Sequence, residues 1–382
     1  MGGNRLKDIP GFSIDRVAAA AGDDPEVLRL ENLDTDLRPP DAALAATRAA
    51  VDSDEFNSYL PFTGHTDLRE AVALRLSRQT GFPHNRDQVV ITCGGTEGVF
   101  DVLLALTDPG DEVLLTDPIY AGMINRVRLA GAIPRLAPYY VKNGEWRLDI
   151  DALKGAVTER TAALLMMSPS MPCGAVMNRD EWQAVVDICT RRSIWLINNA
   201  AMERILFDRR EYIHPGSFPE MIERTVTVGS VSKEFCMIGW RVGWVVGPTR
   251  IMDDIARAHI YNVVTPAGIA QAGAISALET AESDLEWRVV EWQRRRDCVM
   301  DEMRGLPAVT SGGGWSLLVD VGAMGRDSFT ASRLLLEKGR VAATPMRDWG
   351  ERNSDQFVRF VYSNEPVSRL TGLRERVLRA LG

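Results

Sequence analysis

No apolar run in these 382 residues approaches the roughly 20 needed to cross a bilayer; Val99 to Leu106 and Ala162 to Met167 are typical of its hydrophobic stretches. That argues against a membrane location. Basic residues are not in excess either. The net charge is −8 with a pI near 5.3, and Lys and Arg are scattered along the chain, so no basic face for nucleic acid is evident. The five cysteines, Cys93, Cys173, Cys189, Cys236 and Cys298, are an odd number without CxxC spacing. Neither a disulfide framework nor a zinc site is indicated, and buried, reduced thiols are expected. The opening residues, MGGNRLKDIPGFSIDR, lack an apolar stretch of signal-peptide type, which gives a cytoplasmic expectation. Internal repeats, low-complexity tracts and long Pro/Gly/Ser linkers are missing too.

What is present is ordinary globular composition, 45% hydrophobic and 25% charged, which rules out a disordered or fibrous chain. Its length suggests two lobes. From about Asp67 onward helical patterns alternate with short β-branched runs, as a mainly parallel sheet covered by helices requires. The expected strands are Gln88 to Thr92, Glu112 to Thr116, Ala162 to Met167, Ile194 to Asn198, Thr225 to Val228 and Val242 to Val246. Leu285, Val289, Trp292, Val299 and Met303 then fall at helical spacing, predicting one long amphipathic helix. Trp315 to Val321, Val341 to Ala343 and Gln356 to Tyr362 read as strands of a smaller α+β lobe. The expected division is an α/β lobe over 45–275 and a small lobe formed by 1–44 with 276–382.

The segment Thr225 to Trp244, TVTVGSVSKEFCMIGWRVGW, runs from a strand into a small-residue loop, a lysine, and an arginine eight positions later. Ser230 and Ser232 offer hydroxyl donors, Arg241 a planar charged fork, and Gly239 close backbone approach, so the loop can hold a phosphate. Lys233 would lie beside that anion. A desolvated lysine near another cation has a lowered pKa, which suits Schiff-base chemistry.

The string SVSKEFCMIGWRVGW closely resembles the cofactor-lysine motif of class I/II aminotransferases, the fold-type-I family that uses pyridoxal phosphate, and the resemblance runs from about Leu28 to Glu365. It implies an α/β large domain with a smaller α+β domain, Lys233 carrying pyridoxal phosphate as a Schiff base, and an α-amino acid as substrate. By the same resemblance, Gly94, Gly95 and Thr96 hold the phosphate at a helix N-terminus, Tyr120 of Asp117-Pro118-Ile119-Tyr120 stacks on the ring, and Arg359 grips the α-carboxylate. Tyr59 matches the tyrosine that reaches the phosphate of a neighbouring subunit, which implies a homodimer with shared sites. His65, Arg126, Tyr261 and Arg347 stand between cleft-lining and structural roles.

Three positions depart from the family pattern. The run Ser168-Pro169-Ser170-Met171-Pro172-Cys173-Gly174 has Met171 where an asparagine donates to the phenolic oxygen, and Asn199-Ala200-Ala201-Met202 has Met202 where a tyrosine does so. Asn199 stands where an aspartate pairs with the pyridinium nitrogen. Losing one partner of a buried ion pair costs roughly 3–5 kcal/mol, about two to four orders of magnitude in rate. Aminotransferase-like chemistry is the leading expectation, with elimination, replacement or bond formation at Cβ or Cγ as the alternative. A non-catalytic sensor with a DNA-binding module is disfavoured, because too few residues precede the shared region for a helix-turn-helix module plus linker and the chain is acidic.

Overall fold

The computed structural model describes residues 6, 7, 9–11, 13–280 and 282–382. Among them thirteen strands form two sheets. The first strand, β1 (Leu28–Leu30), is followed by β2 (Val89–Thr92), β3 (Glu112–Asp117), β4 (Ile133–Lys142), β5 (Glu145–Leu148), β6 (Thr161–Met166), β7 (Trp195–Asn199), β8 (Thr225–Ser230) and β9 (Gly243–Val246). The last four are β10 (Ala308–Val309), β11 (Ser316–Asp320), β12 (Val341–Pro345) and β13 (Phe357–Val361).

The eight-stranded sheet has the order β2-β9-β8-β7-β6-β3-β4-β5. Its centre is parallel, from β8 through β7, β6 and β3 to β4, and β2, β3, β8 and β9 are buried along their whole length. Helices on both faces explain why these strands read as continuous apolar runs rather than as alternating ones. Two features differ from the expected strand set. Strand β9 runs antiparallel to both β2 and β8, and the antiparallel pair β4 and β5 extends one edge. Pro134 and Pro138 within β4 lowered its strand signal, and they sit where an outer strand tolerates the missing N–H.

The five-stranded sheet has the order β1-β12-β13-β11-β10. It joins the two ends of the chain, since Leu28 pairs in parallel with Val341. The long amphipathic helix is Glu282–Glu302, with Leu285, Trp292 and Val299 buried beneath it. Trp292, Trp315 and Trp349 are fully buried where this sheet meets the larger one's core. All five cysteines are free thiols. Cys173, Cys189 and Cys236 are buried as expected, whereas Cys93, in the turn after β2, and Cys298, on the long helix, are only half-buried.

Candidate active site

The carboxyl ends of the parallel strands converge, with the turn after β2, on a cavity of about 450 Å³. This is the crevice where open α/β sheets bind ligands. Strand β8 delivers Ser230 and the loop that follows it. Ser232 donates its backbone N–H to the Ser230 hydroxyl at 3.3 Å. Glu234 fixes the loop from below by pairing with Arg75 and accepting the Arg204 backbone N–H at 3.1 Å.

Lys233 projects from that loop into the cavity. Its Nζ donates to the Leu33 carbonyl at 2.8 Å and lies 4.8 Å from the centre of the Trp315 ring. Burial pulls its pKa down to about 8 against the pull of Asp34, with Arg359 and Arg241 pushing the same way as burial. A substantial fraction of this amine is therefore neutral, and nucleophilic, near pH 7.

An anion cradle lies on one side of the amine. The helix Gly95–Leu106 begins at the cavity with Gly94 as its N-cap, and no side chain caps it. Arg241, at φ 55°, turns its guanidinium onto the Ile238 carbonyl at 2.8 Å and the Ser232 hydroxyl at 3.5 Å. Gly94 has φ 76°, and a Cβ there would stand 2.4 Å from Arg241 Nη2. Only glycine lets the guanidinium lie against the helix start. Behind this turn, Glu97 accepts the Cys93 N–H at 2.8 Å and pairs with His259 at 3.0 Å. Burial opposes charge on His259, but bonds to Asp101 and Glu97 prevail and raise its pKa to about 9. The loop is thus anchored by a buried ionic cluster.

A second cation lies across the cavity. Arg359, on β13, is fully buried; it donates to the Glu31 carbonyl and, at 3.2 Å, to the Thr344 hydroxyl. Its guanidinium stacks 4.8 Å from the Trp349 ring centre, and its Nε has no partner among the described residues. Burial lowers its pKa to about 10, so it stays charged at neutral pH. A buried, under-satisfied guanidinium is suited to a carboxylate.

Between the two cations lies an apolar slot. Tyr120 packs 5.5 Å from Trp349, and its backbone N–H bonds the Met171 carbonyl at 3.0 Å. Met171, Met202, Met123 and Met167 line the slot together with Asn199. The cavity therefore brings together Gly95, Thr96, Tyr120, Met171, Asn199, Met202, Ser230, Ser232, Lys233, Arg241 and Arg359. Gly94 stands behind Arg241 rather than in the lining. Tyr59 is 82% exposed and does not line this chain's cavity.

Four undecided residues resolve. Arg126 is packed behind the site, donating to the Thr96 carbonyl at 2.9 Å, the Gly122 carbonyl at 2.8 Å and the Tyr120 hydroxyl. Arg347 pairs with Asp355 and Asp327 at the surface, His65 contacts Glu55, and Tyr261 is exposed. Sequence reasoning missed Met123, Met167 and Leu33. Met123 follows Tyr120 by three residues in a helix, a spacing that could have placed it at the slot.

The family model described as aminotransferase class I and II matches residues 27–377. An aspartate aminotransferase of Pyrococcus abyssi is 31% identical over 332 residues, 84% of each chain. An arginine–pyruvate transaminase of Pseudomonas aeruginosa is 32% identical over 325 residues, 83% of this chain and 81% of that one. The solved N-succinyldiaminopimelate aminotransferase of Mycobacterium tuberculosis superposes with a TM-score of 0.93 at 29% identity, covering 100% of both chains.

Proposed function

The chain belongs to the class I and II aminotransferases, enzymes that use pyridoxal phosphate, and from that premise we propose how its own residues serve the reaction. It is a PLP-dependent transferase of amino acids, and the observation that carries the site assignment is that Lys233 shares one cavity with two further cations, Arg241 and Arg359.

The residues fit the cofactor. The uncapped helix start at Gly94, Gly95 and Thr96, the hydroxyls of Ser230 and Ser232, and the Arg241 guanidinium form a dianion cradle. Tyr120 and Asn199 line the slot in which the ring would lie. When bound, pyridoxal phosphate supplies a carbonyl that condenses with amines and a ring that draws electrons from the substrate Cα.

Lys233 would hold the cofactor through Nζ and, once the substrate amine had displaced it, would take the Cα proton at that atom. Arg359 binds the α-carboxylate through its fork and so orients the Cα–H bond. Arg126, bonded to both Thr96 and Tyr120, keeps the phosphate cradle and the ring cover in register. Met171 and Met202 put thioethers where the family pattern has donors.

The relatives are named aminotransferases with different substrates, which favours transamination over elimination or bond formation at Cβ or Cγ. We propose further that the two sheets belong to two lobes, 45–275 and 1–44 with 276–382, that the enzyme works as a homodimer in which Tyr59 reaches the partner's phosphate, and that it is cytoplasmic. Exposure of Tyr59 in the single chain supports the dimer. The test is purified protein offered acidic, basic, aromatic and aliphatic amino acids with a keto-acid acceptor. New amino and keto acids should form, and Lys233→Ala should lose both this activity and the near-visible cofactor band. Turnover that survives the substitution would refute the assignment.

A further inference from the structure

Asn199 ends β7, where its backbone pairs with Val228 and the next residue, Ala200, donates its N–H to the Val228 carbonyl at 2.8 Å. The side chain is buried and cannot swing into solvent. Its two ends are not equivalent. Oδ1 accepts the Ala201 backbone N–H at 3.3 Å, which fixes the amide orientation and turns Nδ2 the other way. Among the described residues Nδ2 meets only the thioether of Met123, at 4.0 Å, and both residues line the cavity. A buried amide donor served by one distant sulfur is a donor in want of an acceptor.

The charges around the cavity point the same way. Its lining contains three cations, Lys233, Arg241 and Arg359, and among the described lining residues no aspartate or glutamate. Asp34 acts on Lys233 and Glu31 on Arg359, both from the segment after β1 rather than from the lining. The cofactor phosphate would offset Arg241. Among the described lining residues none would hold an additional proton beside Asn199 by its charge.

We infer that Asn199 is a cofactor-binding donor that holds the pyridine nitrogen in its unprotonated, hydrogen-bond-accepting form. This rests on the pyridoxal-phosphate reading above. The ring is then a weaker electron sink, and proton transfer at Cα leans more on the position of Lys233.

The test is the ¹⁵N resonance of ring-labelled cofactor bound to the full chain. Wild type should resonate in the unprotonated range, and Asn199→Asp should move the signal to the protonated range. A second reading compares affinities for the cofactor and its N-methylated pyridinium analogue, which has no lone pair to offer. Wild type should bind the analogue about 10- to 100-fold more weakly, and Asn199→Asp should narrow that gap. A protonated nitrogen in wild type overturns the inference even if the aspartate variant fails to fold, as does equal affinity for the analogue. If the protein takes up no cofactor at all, the reading of the site falls instead.

Discussion

The depressed pKa of Lys233 has a consequence measurable without substrate. At about 8, against an ordinary 10.5, roughly one amine in ten is neutral at pH 7, some 300-fold more than an unperturbed lysine would offer. The rate at which cofactor-free protein captures pyridoxal phosphate, followed as growth of the near-visible band, should track that fraction. It should rise about tenfold per pH unit below 8 and level off above. Because Asp34 pulls this pKa up more than Cys236 does, Asp34→Asn should move the break to lower pH. At pH 7 the gain is capped near tenfold, since no more than all the amine can become neutral. The sign for stability follows from the same shift. The folded pKa is the lower one, so the cofactor-free protein should gain stability as pH rises from 8 toward 10.5. A capture rate still climbing tenfold per unit beyond pH 9, or a break moved upward by Asp34→Asn, would refute the reasoning.

Gly94→Ala combines a backbone conformation that costs roughly 1–3 kcal/mol for a side-chain-bearing residue with a collision against Arg241. Cofactor affinity by equilibrium dialysis should fall about tenfold or more; unchanged affinity would disconnect Arg241 from the phosphate. Arg359→Lys replaces a planar fork by a point charge, and should raise KM for the amino acid roughly 30-fold, about 2 kcal/mol, with the cofactor band intact. Loss of the band with unchanged KM would place Arg359 outside the substrate site. Mixing the inactive Tyr59→Phe and Lys233→Ala proteins should restore activity through hybrid dimers, and a fully active monomer in sedimentation would remove the role of Tyr59.

That Ser230, Ser232, Lys233 and Arg241 meet at one cavity was legible because they sit within one strand-loop segment, and the fold only has to close that loop on itself. The buried strands were legible because a sheet covered on both faces demands uninterrupted apolar runs. Strand direction was not, since β9 is buried along its whole length like the parallel strands of the same sheet although it runs against both of its neighbours. Contacts made through distance in the chain were also hidden. Neither the Leu33 carbonyl at Lys233 nor the grip of Arg126 on Thr96 and Tyr120 has a local signature. Tyr59 is the opposite case, a residue whose proposed partner lies on another chain and whose setting in one chain is plain solvent.

The pairing of β1 with β12 bears on how the molecule is made. Strand β1 leaves the ribosome more than 300 residues before its partner β12, so the smaller sheet closes late, whereas every strand of the larger sheet is available once Val246 has emerged. The expected order is vectorial, with the larger sheet folding first and the N-terminal segment waiting, its apolar Leu28 and Leu30 uncovered, for a late and entropically costly closure. The Leu33 carbonyl that holds the Lys233 amine sits just beyond that strand, which makes completion of the reactive centre one of the last events in the life of the nascent chain.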